Sequence, residues 1–378
     1  MTSFGLELPG RVVFGAGSLR QLPDLLPRQA ERILIISGRQ WYEESGCAKR
    51  MRELLQAFRL ERLACLPGEP TTDTIERARE EAAGFSPHAV IGIGGGSVLD
   101  TAKALSALLV LPGKAEEYLE GRETKREIIA AGIPWIAVPT TAGTGAEATK
   151  NAVIKSLSQG AKRSMRSRYL LALAALVDPE LSMDLPLSIS GISGLDALTQ
   201  LVEAYVSRKS NPLVQALVCS AFTPMMHALE EIPRSRGDAG LRSDAAYGAL
   251  VSGIALANAG LGAAHGFAAG IGGTHDIPHG LLCAVLLPHV LEFNAPAIHD
   301  GIRRLVQGKC GKKNPVEWLS AKVRELLLAY GLPLDLKEFG IPRESVAALA
   351  AASCGSSMSG NPREIDAGEK ERLLSRVI

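Results

Sequence analysis

Two different apolar rhythms divide this chain of 378 residues, and the change between them limits what it can fold into. Up to Asp178-Pro179, short runs rich in β-branched residues recur at Val12-Phe14, Ile33-Ser37, Ala89-Gly94, Trp135-Pro139 and Ala174-Asp178. Stretches of helical period lie among them at Ser18-Leu26, Ala48-Phe58, Thr72-Gly84 and Thr101-Leu111. Apolar strands alternating with helices predict βαβ units and a mostly parallel sheet. Beyond Pro179 the strand-like runs stop. Leu187-Ser207, Leu213-Leu229, Leu241-Asn258, Leu281-Phe293 and Pro315-Tyr330 repeat at period 3.6 between Pro and Gly breaks. The expectation is an α/β N-terminal domain over residues 1–180 and an all-α C-terminal domain over 181–378, with the boundary near 178–186.

Bulk properties narrow the class. The chain is too long for one small core, and its 46% apolar and 21% charged residues suit a folded globule. With 41 basic and 40 acidic residues, net charge points to neither nucleic acid nor membrane. Local basic clusters exist, as at Lys162-Arg163 with Arg166 and Arg168, but aromatics at 4% leave few platforms for stacking bases. Six cysteines at 47, 65, 219, 283, 310 and 354 form no C-x-x-C pair, which suits a reducing compartment. The N-terminus lacks a basic segment followed by an apolar core, so no signal peptide is expected. The best uninterrupted apolar run, Leu105 to Leu111, is too short for a bilayer and ends at Pro112. A cytoplasmic protein is the expectation.

Two loops follow strand candidates. Ala89-Val90-Ile91-Gly92-Ile93 leads into Gly94-Gly95-Gly96-Ser97 and then a helix start. Glycines let the backbone approach a pyrophosphate, and the helix N-terminus offers N–H groups and partial positive charge. Ser97 can add a hydroxyl. The pattern is not G-x-G-x-x-G, since Ser97 stands in the third glycine's place, and a tight turn needing small residues reads the same way. The second loop, Pro139-Thr140-Thr141-Ala142-Gly143-Thr144-Gly145, follows Trp135-Val138 and offers hydroxyls beside a strand's carboxyl end. A polar turn with Thr144 capping a helix is the plainer reading of that loop alone.

In the helical half, Asp196 and Gln200 share a helix face at i and i+4. His265 and His279 follow, each before a glycine. Asp and His are ordinary ligands of Fe²⁺ or Zn²⁺, whereas an amide is an uncommon one. His227, His289 and His299 have no partner pattern. Met225-Met226 reads as core, and Cys283 as a small buried hydrophobe.

Gly94-Gly95-Gly96-Ser97-x-x-Asp100-x-x-Lys103, Pro139-Thr140-Thr141-Ala142-Gly143-Thr144-Gly145, Asp178-Pro179, Gly194-x-Asp196-Ala197-Leu198-Thr199 and Pro278-His279-Gly280 occur in this order. Together they resemble the iron-containing (group III) alcohol dehydrogenases, relatives of maleylacetate reductase, glycerol dehydrogenase and dehydroquinate synthase. The likeness runs from about Arg11 to Asn361-Pro362-Arg363. It implies an N-terminal dinucleotide-binding domain, a helical metal-binding domain, catalysis in the cleft between them, and a small alcohol or aldehyde as substrate. It also implies cofactor contacts from Gly94, Gly95, Gly96, Ser97, Asp100, Thr140, Thr141, Thr144 and Lys162, and metal ligands at Asp196, Gln200, His265 and His279. Lys103 reads either as approaching the cleft or as a solvated helix lysine.

The sequence departs from that family in three places. Where NAD-preferring relatives carry an aspartate after the second strand, this chain has Ser37-Gly38-Arg39. Gly38 removes the charge that repels a 2′-phosphate, and Ser37 and Arg39 can bind one, so NADP is expected over NAD. Gln200 stands where metal-bearing relatives have histidine. It is read as a weak fourth ligand or a hydrogen-bond partner to the others, around Fe²⁺ or Zn²⁺. Ala269 stands where those dehydrogenases often have a second histidine. His275 is the nearest replacement as proton donor, since imidazoles titrate near neutrality, though a solvent-facing loop histidine reads equally well. Small residues at 266–273 suggest room for a bulkier substrate. The alternatives carried forward are a metal-independent reductase like maleylacetate reductase, a lyase like dehydroquinate synthase, and a non-catalytic nucleotide binder. Neither a nucleic-acid nor a membrane partner is expected, and a homo-oligomer is left open.

Overall fold

Six parallel strands carry the first half of the chain in the computed structural model, which describes residues 3–66 and 68–378. They are β1 (Val12–Phe14), β2 (Arg32–Gly38), β3 (Arg59–Cys65), β4 (Ala89–Gly94), β5 (Trp135–Pro139) and, after the antiparallel hairpin β6 (Asn151–Ser156) and β7 (Ala161–Arg166), β8 (Ala174–Val177). The sheet order is β1-β8-β5-β4-β2-β3. Alternating residues supply opposite faces: Leu34, Ile36 and Val90 join one buried cluster, Ile33, Ile35, Ile91 and Ile93 the other. Helices cover both faces, as parallel strands require, among them α1 (Cys47–Leu54), α2 (Thr72–Ala83) and α3 (Gly96–Leu108).

Three elements here depart from the sequence expectation. Strand β3 carries Arg59, Glu61 and Arg62, which break up its apolar pattern. It lies at the sheet edge, where charged side chains are tolerated and discourage further pairing. The β6–β7 hairpin hides only Ala152, Ile154 and Met165 among its apolar residues, so it too lacked a strand signature. Helix α3 begins at Gly96, before the apolar period starts, because Gly95 in extended conformation serves as its N-cap.

The second half is helical: α4 (Leu187–Val206), α5 (Pro212–Glu231), α6 (Ala239–Ala259), α7 (Ala263–Gly272), α8 (His279–Leu305), α9 (Pro315–Ala329), α10 (Val346–Ala352) and α11 (Ala367–Leu374). Helix α7 was not expected from its Ala/Gly composition. Its glycines are packing devices: a Cβ at Gly266 would come within 2.8 Å of Met358, and one at Gly270 within 2.5 Å of Ser353. This corrects the idea that small residues at 266–273 open space, since only Ala269 between Ala263 and Gly272 is exposed. Helices α6 and α7 meet at a bend of 95°, with Gly260 at φ 64° between them. Helix α8 continues through Pro288 and Pro296 well past the expected end at Phe293. Helices α5 and α8 are long and apolar enough to cross a membrane by length and composition. In the structure Val218, Phe222 and Met225 of α5, with Leu282, Val285 and Leu286 of α8, belong to the helical core.

Two compact units result: Glu7–Thr141 with Gly145–Ser182, and Met183–Ile378 with Ala142–Thr144.

Candidate functional site

Strand order locates the first site. From β2 the chain runs outward to edge strand β3, then returns to β4 on the other side of β2. That reversal is a topological switch point, and ligands of open α/β sheets bind beyond the strand carboxyl ends there. The ends concerned are Ser37-Gly38-Arg39 on β2 and Gly94-Gly95-Gly96-Ser97 on β4, with Ser37 in register with Ile93. The Thr140 N–H donates to Gly94 O (3.0 Å), tying the threonine loop to the glycine loop.

Helix α3 starts without a side-chain cap, and Gly95, Gly96 and Ser97 are half-buried. The orphan N–H groups of its first turn and the positive end of its dipole therefore suit an anion. None of Gly94, Gly95 and Gly96 adopts positive φ. Close packing explains one of them, because a Cβ on Gly94 would lie 2.7 Å from Val98.

The other expected cofactor contacts are distributed unevenly. Thr140 is buried and Thr141 half-buried beside Gly95, whereas exposed Thr144 groups with the helical unit. Asp100 is engaged inside the protein: its Oδ2 accepts from the Val153 N–H (3.1 Å), and its Oδ1 lies 3.5 Å from Lys103 Nζ. Lys162 pairs with Glu69 at 2.6 Å. Lys103 is neither solvated nor open to a cleft. It is fully buried, donating to Thr149 Oγ1 (2.8 Å) and Asn151 O (2.6 Å), and burial lowers its pKa against the influence of Asp100. Asp100 and Lys103 thus join α3 to the β6–β7 hairpin.

At the β2 end, Arg39 is exposed but Ser37 is fully buried. The Ser37 hydroxyl accepts from Arg62 Nε (2.7 Å), and Arg62 Nη2 donates to Gly38 O (2.9 Å). Arg62 also pairs with Glu43 (2.5 Å) and lies over the Tyr42 ring. This cation was missed because its strand was missed.

The second site lies within the helical unit. Asp196 and Gln200 on α4, His265 on α7 and His279 on α8 converge, and Cys283 joins them from the next turn of α8. The donor atoms of Asp196, His265, His279 and Cys283 all lie within 4.8 Å of one another. A tetrahedral ion with ligand bonds of about 2.0–2.3 Å needs donor separations of roughly 3.3–3.8 Å, so a small contraction would form the site.

His265 is oriented for ligation. Its Nδ1 lies 2.7 Å from Glu203 Oε2, while Glu203 Oε1 accepts from the Ala264 N–H (2.7 Å) at the start of α7. A proton on Nδ1 shared with that carboxylate leaves Nε2 with its lone pair forward. Nε2 faces Asp196 Oδ1 at 3.4 Å, and both atoms are buried without a hydrogen-bond partner.

Gln200 takes a different place. Its Nε2 donates to Asp196 Oδ2 (3.0 Å), and Ser252 Oγ lies 2.8 Å from its Oε1. A carboxylate only accepts, so the amide must turn its NH₂ toward Asp196. His275 lies half-buried in the α7–α8 connection, its Nδ1 2.9 Å from Thr274 Oγ1. Glu203 and Ser252 went unnoticed in the sequence, where Cys283 reads only as a small buried hydrophobe. Glu203 and Cys283 follow the same i+3/i+4 spacing that linked Asp196 to Gln200, and that signal could have found them.

Comparison with known proteins identifies the family. The family model described as iron-containing alcohol dehydrogenase matches residues 9–179, and the model for the Fe-containing alcohol dehydrogenase family, C-terminal, matches residues 191–378. The chain belongs to the iron-containing alcohol dehydrogenase family. It is 31% identical to long-chain-alcohol dehydrogenase 1 of Geobacillus thermodenitrificans, over 97% of this chain and 92% of the relative. It is 29% identical to a maleylacetate reductase of Sphingobium indicum, over 98% and 96%. An iron-containing alcohol dehydrogenase structure from Thermococcus thioreducens superposes with a TM-score of 0.88 at 28% identity, covering 99% of each chain.

Proposed function

We propose that this protein transfers a hydride between NAD(P) and a small alcohol or carbonyl substrate, chiefly reducing an aldehyde with NADPH, with a dication held at the helical site. The observation carrying the metal is the pair of buried, partnerless atoms Asp196 Oδ1 and His265 Nε2. An unsatisfied buried polar atom costs about 1–3 kcal/mol, and an ion between the two removes that cost. When bound, such an ion supplies Lewis acidity toward a substrate oxygen.

The chain's own residues have separate tasks in this reading. Glu203 fixes the tautomer and orientation of His265. The uncapped start of α3 offsets pyrophosphate charge, with Gly94, Gly95, Gly96 and Ser97 allowing close approach. Gly38 puts no carboxylate beside the adenosine ribose, and the cations Arg39 and Arg62 stand nearby to favour a 2′-phosphate. His275 donates the proton to the product oxygen. Six free thiols support a reducing, cytoplasmic setting.

A metal-independent reductase is the second reading, favoured by the Gln200 amide, which gives Asp196 a partner without any ion. Elemental analysis of gently purified protein, with activity before and after chelation, separates the two. A stoichiometric metal whose removal abolishes turnover supports the first, whereas full activity in metal-free protein selects the second. A lower Michaelis constant for NADPH than for NADH is expected, and a clear NADH preference refutes the cofactor assignment.

A further inference from the structure

We propose that Cys283, rather than Gln200, completes the dication site with Asp196, His265 and His279. This rests on the metal-assisted reading above and assigns the fourth donor within it.

Spacing is the first argument. His279 opens α8 and Cys283 follows one turn later on the same face, with Sγ 3.5 Å from His279 Nε2. The thiol is fully buried and lies in the same group of mutually close donors as the two partnerless atoms, Asp196 Oδ1 and His265 Nε2. A cysteine there for packing alone would not need three ligand-type side chains around its sulfur.

Gln200 supplies the second argument. Its NH₂ donates to Asp196 Oδ2, and its carbonyl oxygen, the only atom able to ligate, is held by Ser252. Coordination through Gln200 would break both contacts and turn an acceptor toward an acceptor-only carboxylate. In its observed place it orients the Asp196 carboxylate, the usual service of a residue behind a ligand.

Charge is the third argument. Among the groups that would touch the ion, Asp196 and two neutral imidazoles supply one negative charge, with the Glu203 carboxylate standing farther back behind His265. A Cys283 thiolate supplies the second negative charge: the S–H bond breaks, a sulfur–metal bond forms, and the proton leaves to solvent. No electron is transferred. A thiolate donor also biases the site toward Zn²⁺ over harder ions.

The test is cobalt spectroscopy of the full chain, stripped of metal and reconstituted with Co²⁺. Wild-type protein is expected to bind one Co²⁺ with visible d–d bands and a near-ultraviolet thiolate-to-cobalt charge-transfer band. Cys283→Ser should lose the charge-transfer band and bind Co²⁺ more than ~10-fold more weakly, past the low end of the losses seen when a residue behind a ligand is changed. Its five remaining cysteines are the internal control. Should that variant misfold by circular dichroism, Cys283→Ala carries the same reading. Stoichiometric Co²⁺ without the charge-transfer band in wild type, or a band surviving in the variant, overturns the Cys283 assignment and leaves the metal reading intact. No Co²⁺ bound at all overturns both.

Discussion

At the scale of single residues, two buried carboxylates have opposite roles. Glu203 ties the start of α7 to the tautomer of His265, so its effect should pass through metal affinity. Glu203→Gln is expected to weaken metal binding by about 10–100-fold, measured by competition with a chelator, while the fold persists. Glu147, also buried, has no comparable service, and burial raises its carboxyl from 4.5 to about 7, with Lys103 pulling the other way. A raised acid favours the folded state only while protonated. That contribution is fully present below 4.5 and is lost as pH rises through about 7, a difference of roughly 3 kcal/mol. Glu147→Gln should flatten this dependence in urea unfolding across the same pH window. An unchanged slope would mean that Glu147 is charged throughout.

Among the elements, helix α3 does the most varied work. Its N-terminus faces the switch point, and its interior holds the hairpin through Asp100 and Lys103. Gly94→Ala would drive a Cβ against Val98, whose branched side chain cannot yield easily. A loss of about 1–3 kcal/mol in stability is expected, with weaker NADPH binding. Thermal melting and a fluorescence titration check the two effects; unchanged values in both would show that the turn can relax. The elements legible in the sequence are those whose burial is written as an apolar period: β2, β4, β5 and β8, and helices α4 to α6 and α9. Strand β3 and the hairpin were illegible because their stability comes from edge pairing and ion pairs, as at Arg62 and Lys162. Of the sites, the glycine loop and the Asp196, His265 and His279 set stood out because their chemistry is tied to local spacing. The role of Arg62 depends on tertiary packing, whereas the i+4 spacing from His279 could have exposed Cys283. The sequence could show Lys103 but not that it is buried.

For the whole molecule, the two candidate ligand sites stand on separately cored units. NADPH and Zn²⁺ should therefore each raise the melting temperature alone, with their effects adding when both are present. Each contributes about 2.7 kcal/mol at a hundredfold excess over its dissociation constant. Calorimetry with neither, either and both ligands tests this, and strong non-additivity would reveal energetic coupling between the units. The donors of the helical site come from α4 and, beyond the intervening α5 and α6, from the successive helices α7 and α8. An ion there would act as a removable staple across a finished bundle. It cannot assemble its donors before those helices have docked, so it would serve as a late fastener rather than a folding nucleus. Its main kinetic effect should then be slower unfolding, with the rate of folding little changed.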